Sequence, residues 1–326
     1  MVARRIVLAT GHLPPALPAT GSTLCWGDEG LVGDPWLPAA RAPLDPWQDI
    51  LLLGTGLTAV DVLTQWRDAG HRGRINMLSR RGQLPQPHRV LEARPPVGLQ
   101  PVHALGDELR LAQVLRAVHA WIARARDDGG DWRDVMASVR PWTPYLWQRL
   151  SPRDRRQFLR HLQPFWDTHR HRLAPAIHAQ HLAEMASGDV QVRAGRMTEI
   201  RRDAKGLLEV KWRARGSERI ETLHVGRVVN CTGPTSNLAR ARDRLLGGLR
   251  DAGVLCSDGL GQGLLVDAHL RPIDASGVPV EGLHYVGPML KAQRWEAVAV
   301  PELRVHARDV ARQVVASLSE SFEYAD

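Results

Sequence analysis

The 326-residue sequence is poor in lysine, in cysteine and in long apolar runs, and each scarcity narrows its function. Lysine occurs only at Lys205, Lys211 and Lys291, so the net charge of +8 is carried almost wholly by arginine. The arginines are spread along the chain and no basic block is interleaved with aromatics, which argues against a nucleic-acid partner. The three cysteines, Cys25, Cys231 and Cys256, are too few and too scattered for a disulfide framework. None forms the close pair that holds zinc or exchanges thiols, and this usage fits a reducing cytoplasm. No segment reaches the ~18 unbroken apolar residues of a membrane span. The opening "MVARRIVLATGH" has too short an apolar core for a signal peptide. A nucleophile elbow, a Walker lysine motif and a placeable pair of catalytic carboxylates are also missing, which weighs against hydrolase and kinase chemistry.

What is present begins at "DILLLGTGLTAVDVL", residues 49–63. Four aliphatic residues predict a buried strand, and Gly54-Thr55-Gly56 followed by Leu57, Thr58 and Ala59 predicts a tight turn into a helix reaching about Asp68. In that pattern Gly54 permits the turn, Gly56 lets the backbone approach a pyrophosphate, and the small Ala59 lets helix pack on strand. The amides at the helix N-terminus then face the anion. A "GHRG" turn and a second strand at 74–80 complete a βαβ unit. NAD-preferring versions of this unit place an acidic residue after the second strand. Here Ser79-Arg80-Arg81 stands in its place, and two guanidiniums with a hydroxyl suit a 2′-phosphate, hence NADPH.

Around this unit the chain is expected to be α/β with a helical insertion. Ile6 to Ala9 predicts a short strand closed by Thr10-Gly11, and the proline-rich stretch 12–47 predicts an extended connection. Apolar residues at three- and four-residue spacing predict helices over about 105–187, one of them started by Ser151 with Pro152 at its first position. Short alternating runs follow as an antiparallel β-meander, leading to a buried strand closed by Cys231-Thr232-Gly233. A strand at 283–287 and a closing helix from about Trp295 to Leu318 finish the chain. His161, His169, His171 and His178 crowd one helical stretch, but no cysteine and no carboxylate beyond Asp167 completes a ligand set, so no metal is expected.

The succession "VLATGH", "LLLGTGLTAVDVL", "MLSRRG", "LPQPHR", "VVNCTGP" and "WEAVAVPELRVHA" resembles the bacterial FAD/NAD(P)-binding oxidoreductases, relatives of the two-domain flavin monooxygenases, over essentially the whole chain. The resemblance implies an α/β flavoprotein with two dinucleotide-binding, Rossmann-like domains. Residues 1–47 would be a remnant of the FAD domain and a linker, 48–235 the NAD(P) domain with its insertion, and 236–326 the C-terminal part of the FAD domain. Thr10-Gly11 and Thr232-Gly233 would be the crossings between domains, and Gly287, Trp295 and Glu296, with Glu302 beyond them, the flavin side. The implied chemistry is hydride transfer from NADPH to FAD, followed by reduction or oxygenation of a small substrate that the sequence does not identify. No catalytic residue is assigned. Family members begin with a separate glycine fingerprint for the ADP half of FAD, and nothing before Ile6 provides one. The alternatives are therefore a fragment that binds NADPH but catalyses nothing, or one half of a two-chain enzyme whose partner chain carries the missing FAD half. A third, an arginine-rich nucleic-acid module, predicts salt-dependent binding and indifference to NADPH.

Overall fold

The computed structural model describes residues 3–90 and 109–323. In chain order the strands are β1 (Ile6–Leu8), β2 (Leu13–Pro15), β3 (Leu31–Val32), β4 (Ile50–Leu53), β5 (Ile75–Ser79), β6 (Val190–Arg202), β7 (Leu208–Ala214), β8 (Ile220–Val225), β9 (Arg227–Asn230), β10 (Pro234–Thr235) and β11 (Leu283–Tyr285). The helices are α1 (Leu57–Asp68), α2 (Leu111–Asp127), α3 (Trp132–Val139), α4 (Thr143–Arg149), α5 (Pro152–Gln157), α6 (Gln163–Arg170), α7 (Pro175–Ser187), α8 (Arg244–Asp251) and α9 (Val300–Glu323). The chain divides into two compact units. Met1–Leu13, Pro95–Phe158 and Pro234–Asp326 form the first; Pro14–Arg94 and Leu159–Gly233 form the second.

The second unit is built on a seven-stranded sheet of order β3-β9-β4-β5-β6-β7-β8. The pairs from β3 through β6 are parallel, and β6-β7-β8 is an antiparallel meander. A parallel strand is covered on both faces, so it needs apolar residues at every position. The "ILLL" of β4 meets that need, being buried throughout. Ile50 and Leu52 turn to one face with Ala59, Val62, Leu63 and Trp66 of α1. Leu51 and Leu53 turn to the other, with Leu208, Val210 and Trp212 of the meander. Arg67, near the end of α1, ties the βαβ unit to α7 and the start of β6. Its guanidinium donates to Glu184 at 2.9 Å and to the carbonyls of His71, Gly73 and Asp189.

The first unit has the small parallel sheet β1-β11 and a core that joins Leu8 of β1, Tyr285 of β11, Leu246 of α8 and Val310 of α9 to Leu255, Leu264 and Leu270 from loops and to Met289 and Leu290 from a 3-10 turn. Ile6 and Val7 of β1 are 51% and 43% exposed although both are aliphatic, because β11 is the only strand paired with β1 among the described residues.

Four expectations need correction. The stretch 12–47 is more than a connection: Leu31–Val32 pairs with β9 as an edge strand, and the Arg227 guanidinium donates to the carbonyls of Ala40, Ala42 and Pro43, holding the proline-rich chain against the sheet. The first two of the short alternating runs, "DVQVRAG" and "MTEIRRD", expected as separate strands, are one 13-residue strand, β6, with an irregularity between Met197 and Glu199. The closing helix starts at Val300, not Trp295, because Glu296 takes a left-handed φ of 78° that no helix accepts. Proline at the helix's second position, Pro301, suits the later start. The helical insertion is shared between the units, 109–158 lying in the first and 159–187 in the second; its expected first residues, 105–108, lie outside the described residues.

His71 and His181 are both buried in the second unit, each with Nε2 unbonded. Burial lowers both pKa values, and the nearby Arg67 lowers that of His71 further. A depressed folded pKa means that the unfolded chain takes up the proton first as pH falls. The stabilisation from burying both rings neutral is therefore complete above the ordinary imidazole value of about 6.5 and is lost as pH drops through the lowered folded values. Urea midpoints measured between about pH 8 and pH 5 should fall over that window, and H71Q/H181Q should flatten the slope.

Candidate functional site

The order of the sheet makes β4 a switch point, since the chain continues from it to β5 on one side while β9 and β3 lie on the other. Ligands of open α/β sheets bind in the crevice at the carboxyl ends of such strands. Here two glycine-bearing turns meet at that place, Gly54-Thr55-Gly56 after β4 and Cys231-Thr232-Gly233 after β9. Leu53 and Asn230 are register partners, and the Cys231 amide donates to the Leu53 carbonyl at 2.8 Å. Gly54 has φ 124°, and a Cβ there would run into the Cys231 carbonyl. Only glycine permits this approach.

Gly56 caps α1 with no side-chain acceptor, is exposed, and has open space where a Cβ would stand. The first α1 amides to bond back are those of Ala59 and Val60, both to the Gly56 carbonyl. The amides before them, at Leu57 and Thr58, make no hydrogen bond among the described residues, and the helix dipole favours negative charge there. Ala59 is fully buried against the strands, as its small size requires. Thr55 Oγ1 lies 2.5 Å from the Gln83 carbonyl and 3.0 Å from Ser79 Oγ, and Ser79 Oγ accepts from the Gly82 amide at 3.0 Å. The carbonyl has no proton to give, so Thr55 donates to it, and the Ser79 hydroxyl is spent on closing the loop after β5. Thr232 is bound to its own strand, its hydroxyl and amide both reaching Asn230 Oδ1. Burial pushes the Cys231 thiol pKa up, which favours the protonated thiol over the thiolate.

At the tip of β5, Arg80 lines a cavity of about 240 Å³ with Arg196, Arg213, Arg215 and Glu218 from the meander. Glu218 pairs with Arg213 at 3.2 Å, while Arg80, Arg196 and Arg215 have no ion pair among the described residues. Arg81 is held differently, donating to the Arg160 carbonyl at 2.8 Å with its guanidinium over the Phe165 ring. The sequence pointed to Arg80 and Arg81 through the βαβ spacing. It gave no sign of Arg196, Arg213 and Arg215, which only the β6-β7 hairpin brings to Arg80.

The remaining expected residues lie in the first unit. Thr10 bonds through its side chain to the buried Tyr285 hydroxyl, whose pKa burial raises, and Gly11 follows at φ 67° with open space beside it. Gly287 packs so closely on the Tyr285 hydroxyl that a Cβ would overlap it. Trp295 is core: its ring lies 4.5 Å from that of Trp147 and 5.2 Å from that of Phe158. Glu296 is 3% exposed and keeps its left-handed backbone. Glu302, in the first turn of α9, accepts two bonds from Arg140 at 2.8 and 2.7 Å, a pairing that raises the arginine's pKa. Among the described residues no group of three or more His, Cys, Asp or Glu is arranged to hold a metal ion, and no helix is long and apolar enough to cross a membrane.

A largely parallel sheet with glycine turns at a switch point, in a chain of two units, is the pattern of dinucleotide-binding α/β folds. Solved structures specify the arrangement further. The chain is similar to the ornithine N-hydroxylase KtzI of Kutzneria sp. 744, solved with reduced FAD, NADP+ and L-ornithine (TM-score 0.57, 14% identity, 96% of this chain and 64% of that one). It is similar also to the L-lysine 6-monooxygenase of Pseudomonas syringae (0.58, 17%, 96% and 63%) and to the FAD-bound cadaverine monooxygenase DfoA of Erwinia amylovora (0.53, 15%, 96% and 60%). The fold is therefore that of the two-dinucleotide-domain flavoproteins, and the chain spans less than two thirds of the length of each of these proteins. No family model and no curated protein matches the sequence.

Gly54→Ala is expected to cost roughly 2–4 kcal/mol, combining an unfavourable φ with a clash against backbone. Urea unfolding should show it as a lowered midpoint at unchanged slope.

Proposed function

We propose that the chain forms the NADPH-binding unit and part of the flavin unit of an FAD-dependent oxidoreductase. The observation that carries this reading is the pairing of an uncapped α1 N-terminus behind Gly56 with the arginine cavity at the tip of β5. The two features match the two phosphate groups that set NADPH apart from an uncharged ligand: pyrophosphate at the helix amides and 2′-phosphate at the guanidiniums. In this reading Gly54 and Gly56 shape the cradle, the amides of Leu57 and Thr58 hold the pyrophosphate, and Arg80 with its meander neighbours selects NADPH over NADH. Arg81 and Ser79 hold the loop that presents Arg80.

The residues present fit FAD in part. Thr10, Gly11, Gly287 and the segment before α9 offer backbone for a flavin, but the described residues of the first unit contain no second strand–Gly-x-Gly–helix turn for its pyrophosphate. When bound, NADPH supplies a hydride and FAD accepts it. The substrate is unassigned. We propose further that the flavin site is completed by additional polypeptide pairing along β1. The exposed Ile6 and Val7 support this, because a parallel sheet of two strands leaves apolar edges and faces uncovered.

Gly56→Val should leave the unfolding midpoint nearly unchanged, since the Cβ meets nothing, while weakening NADPH binding by about tenfold or more. Arg80→Gln should weaken NADPH by about tenfold and leave NADH within about twofold. Titration calorimetry with both nucleotides checks both variants. Equal losses for NADH and NADPH in R80Q would remove the 2′-phosphate assignment. A visible flavin spectrum recorded on the chain with added FAD, followed by NADPH, tests the oxidoreductase reading. Bleaching supports it, and NADPH binding without flavin uptake restricts the chain to the nucleotide half.

A further inference from the structure

The first unit holds another arginine-lined cavity, of about 340 Å³, which the nucleotide reading does not use. Arg155 and Gln148, from the helical insertion, meet Asp267, Ala268, Gln293 and Arg294 there. Arg155 spends Nε on the Trp147 carbonyl and Nη2 on the Gln148 carbonyl, both at 2.9 Å, and lies over the Trp147 ring, while Nη1 makes no bond among the described residues. Arg294 reaches only the Ala268 carbonyl, at a long 3.4 Å. Neither guanidinium forms an ion pair among the described residues. Asp267 is already committed, to Arg271 Nε at 2.8 Å and to the amides of His269 and Arg271. Burial lowers the pKa of both arginines, and the carboxylates that oppose this, Asp258 for Arg155 and Asp309 for Arg294, act without contact.

Two partly buried cations lining one space, with the local carboxylate turned to Arg271, which it shares with Glu281, are costly unless an anion joins them. Their charge calls for a dianion. A cavity of this size has room for more than a bare oxyanion; Gln148 also lines it but its amide donates to the Gln293 carbonyl at 3.2 Å, which leaves the Gln293 side chain as the neutral polar partner. We propose that this cavity binds the phosphate group of a small organic phosphate, with Arg155 and Arg294 as its two guanidinium partners. The proposal is independent of the nucleotide reading, which concerns other residues in the other unit.

The test uses the full chain carrying R80Q/R215Q, so that the meander cavity does not compete, and titrates inorganic phosphate by calorimetry at constant ionic strength. The expected result is a saturable component, distinct from any binding at the α1 amides, that is weakened about tenfold or more by Arg294→Gln and less by Arg294→Lys, which keeps the charge. Arg155→Gln should weaken it as well but also removes two structural bonds. Arg294→Gln, losing only one long contact, is therefore the deciding variant, with circular dichroism melts confirming its fold. Competition between FAD and phosphate would identify the group as a flavin phosphate, and its absence a separate phosphate monoester; either supports the site. No saturable binding, or binding unchanged in Arg294→Gln, overturns it.

Discussion

The second unit is organised around one close approach between backbones, Gly54 against the carbonyl of Cys231. Because no side chain separates them, β4 and β9 keep parallel register to their carboxyl ends, and both turns lie together at that edge of the sheet. The helix that leaves Gly56 then begins beside both turns, with its first amides unbonded among the described residues. Buried strands supply the rigidity: with Ile50 and Leu52 on one face and Leu51 and Leu53 on the other, β4 has no solvated side on which to shift. The result is a turn that only glycine can make, set on a strand buried on both faces.

The parts legible in the sequence were those governed by local rules. The β4-α1-β5 unit followed from an aliphatic run, a glycine spacing and a helical period, and Ser151 capped α5 as its position before proline implied. The parts that were not legible depend on partners distant in sequence. Leu31–Val32 is two residues long among prolines, and only β9 makes it a strand. Trp295 to Ala299 has the apolar spacing of a helix, yet tertiary packing holds Glu296 at a positive φ and Trp295 in an aromatic cluster with Trp147 and Phe158. Ser79 is of the right type for a phosphate, but Thr55 and Gly82 claim its hydroxyl.

The arginine excess, at first only a compositional oddity, divides into two physical roles. Arg67, Arg155 and Arg227 use the several donors of the guanidinium to satisfy carbonyls at loop ends, tying irregular chain to regular chain. Arg80, Arg196, Arg215 and Arg294 have no carboxylate in contact and line cavities. Lysine, with one compact charged group, would serve the first role poorly, because a single ammonium does not span carbonyls from separate residues.

Strand β6 belongs to two different pairings along its length. Up to Ala194 it runs parallel to β5, and from Gly195 it runs antiparallel to β7. Gly195 lies at the changeover, where a side chain would overlap the Arg213 carbonyl and the Trp212 ring. The cavity arginines on β6 and β7 thus owe their common direction to hairpin register, and a slip of one residue would send the slipped strand's arginine to the opposite face. In evolutionary terms, the far end of the hairpin is free to lengthen or shorten in steps, whereas a single insertion or deletion beside Gly195 would abolish the charge cluster without altering one of its residues.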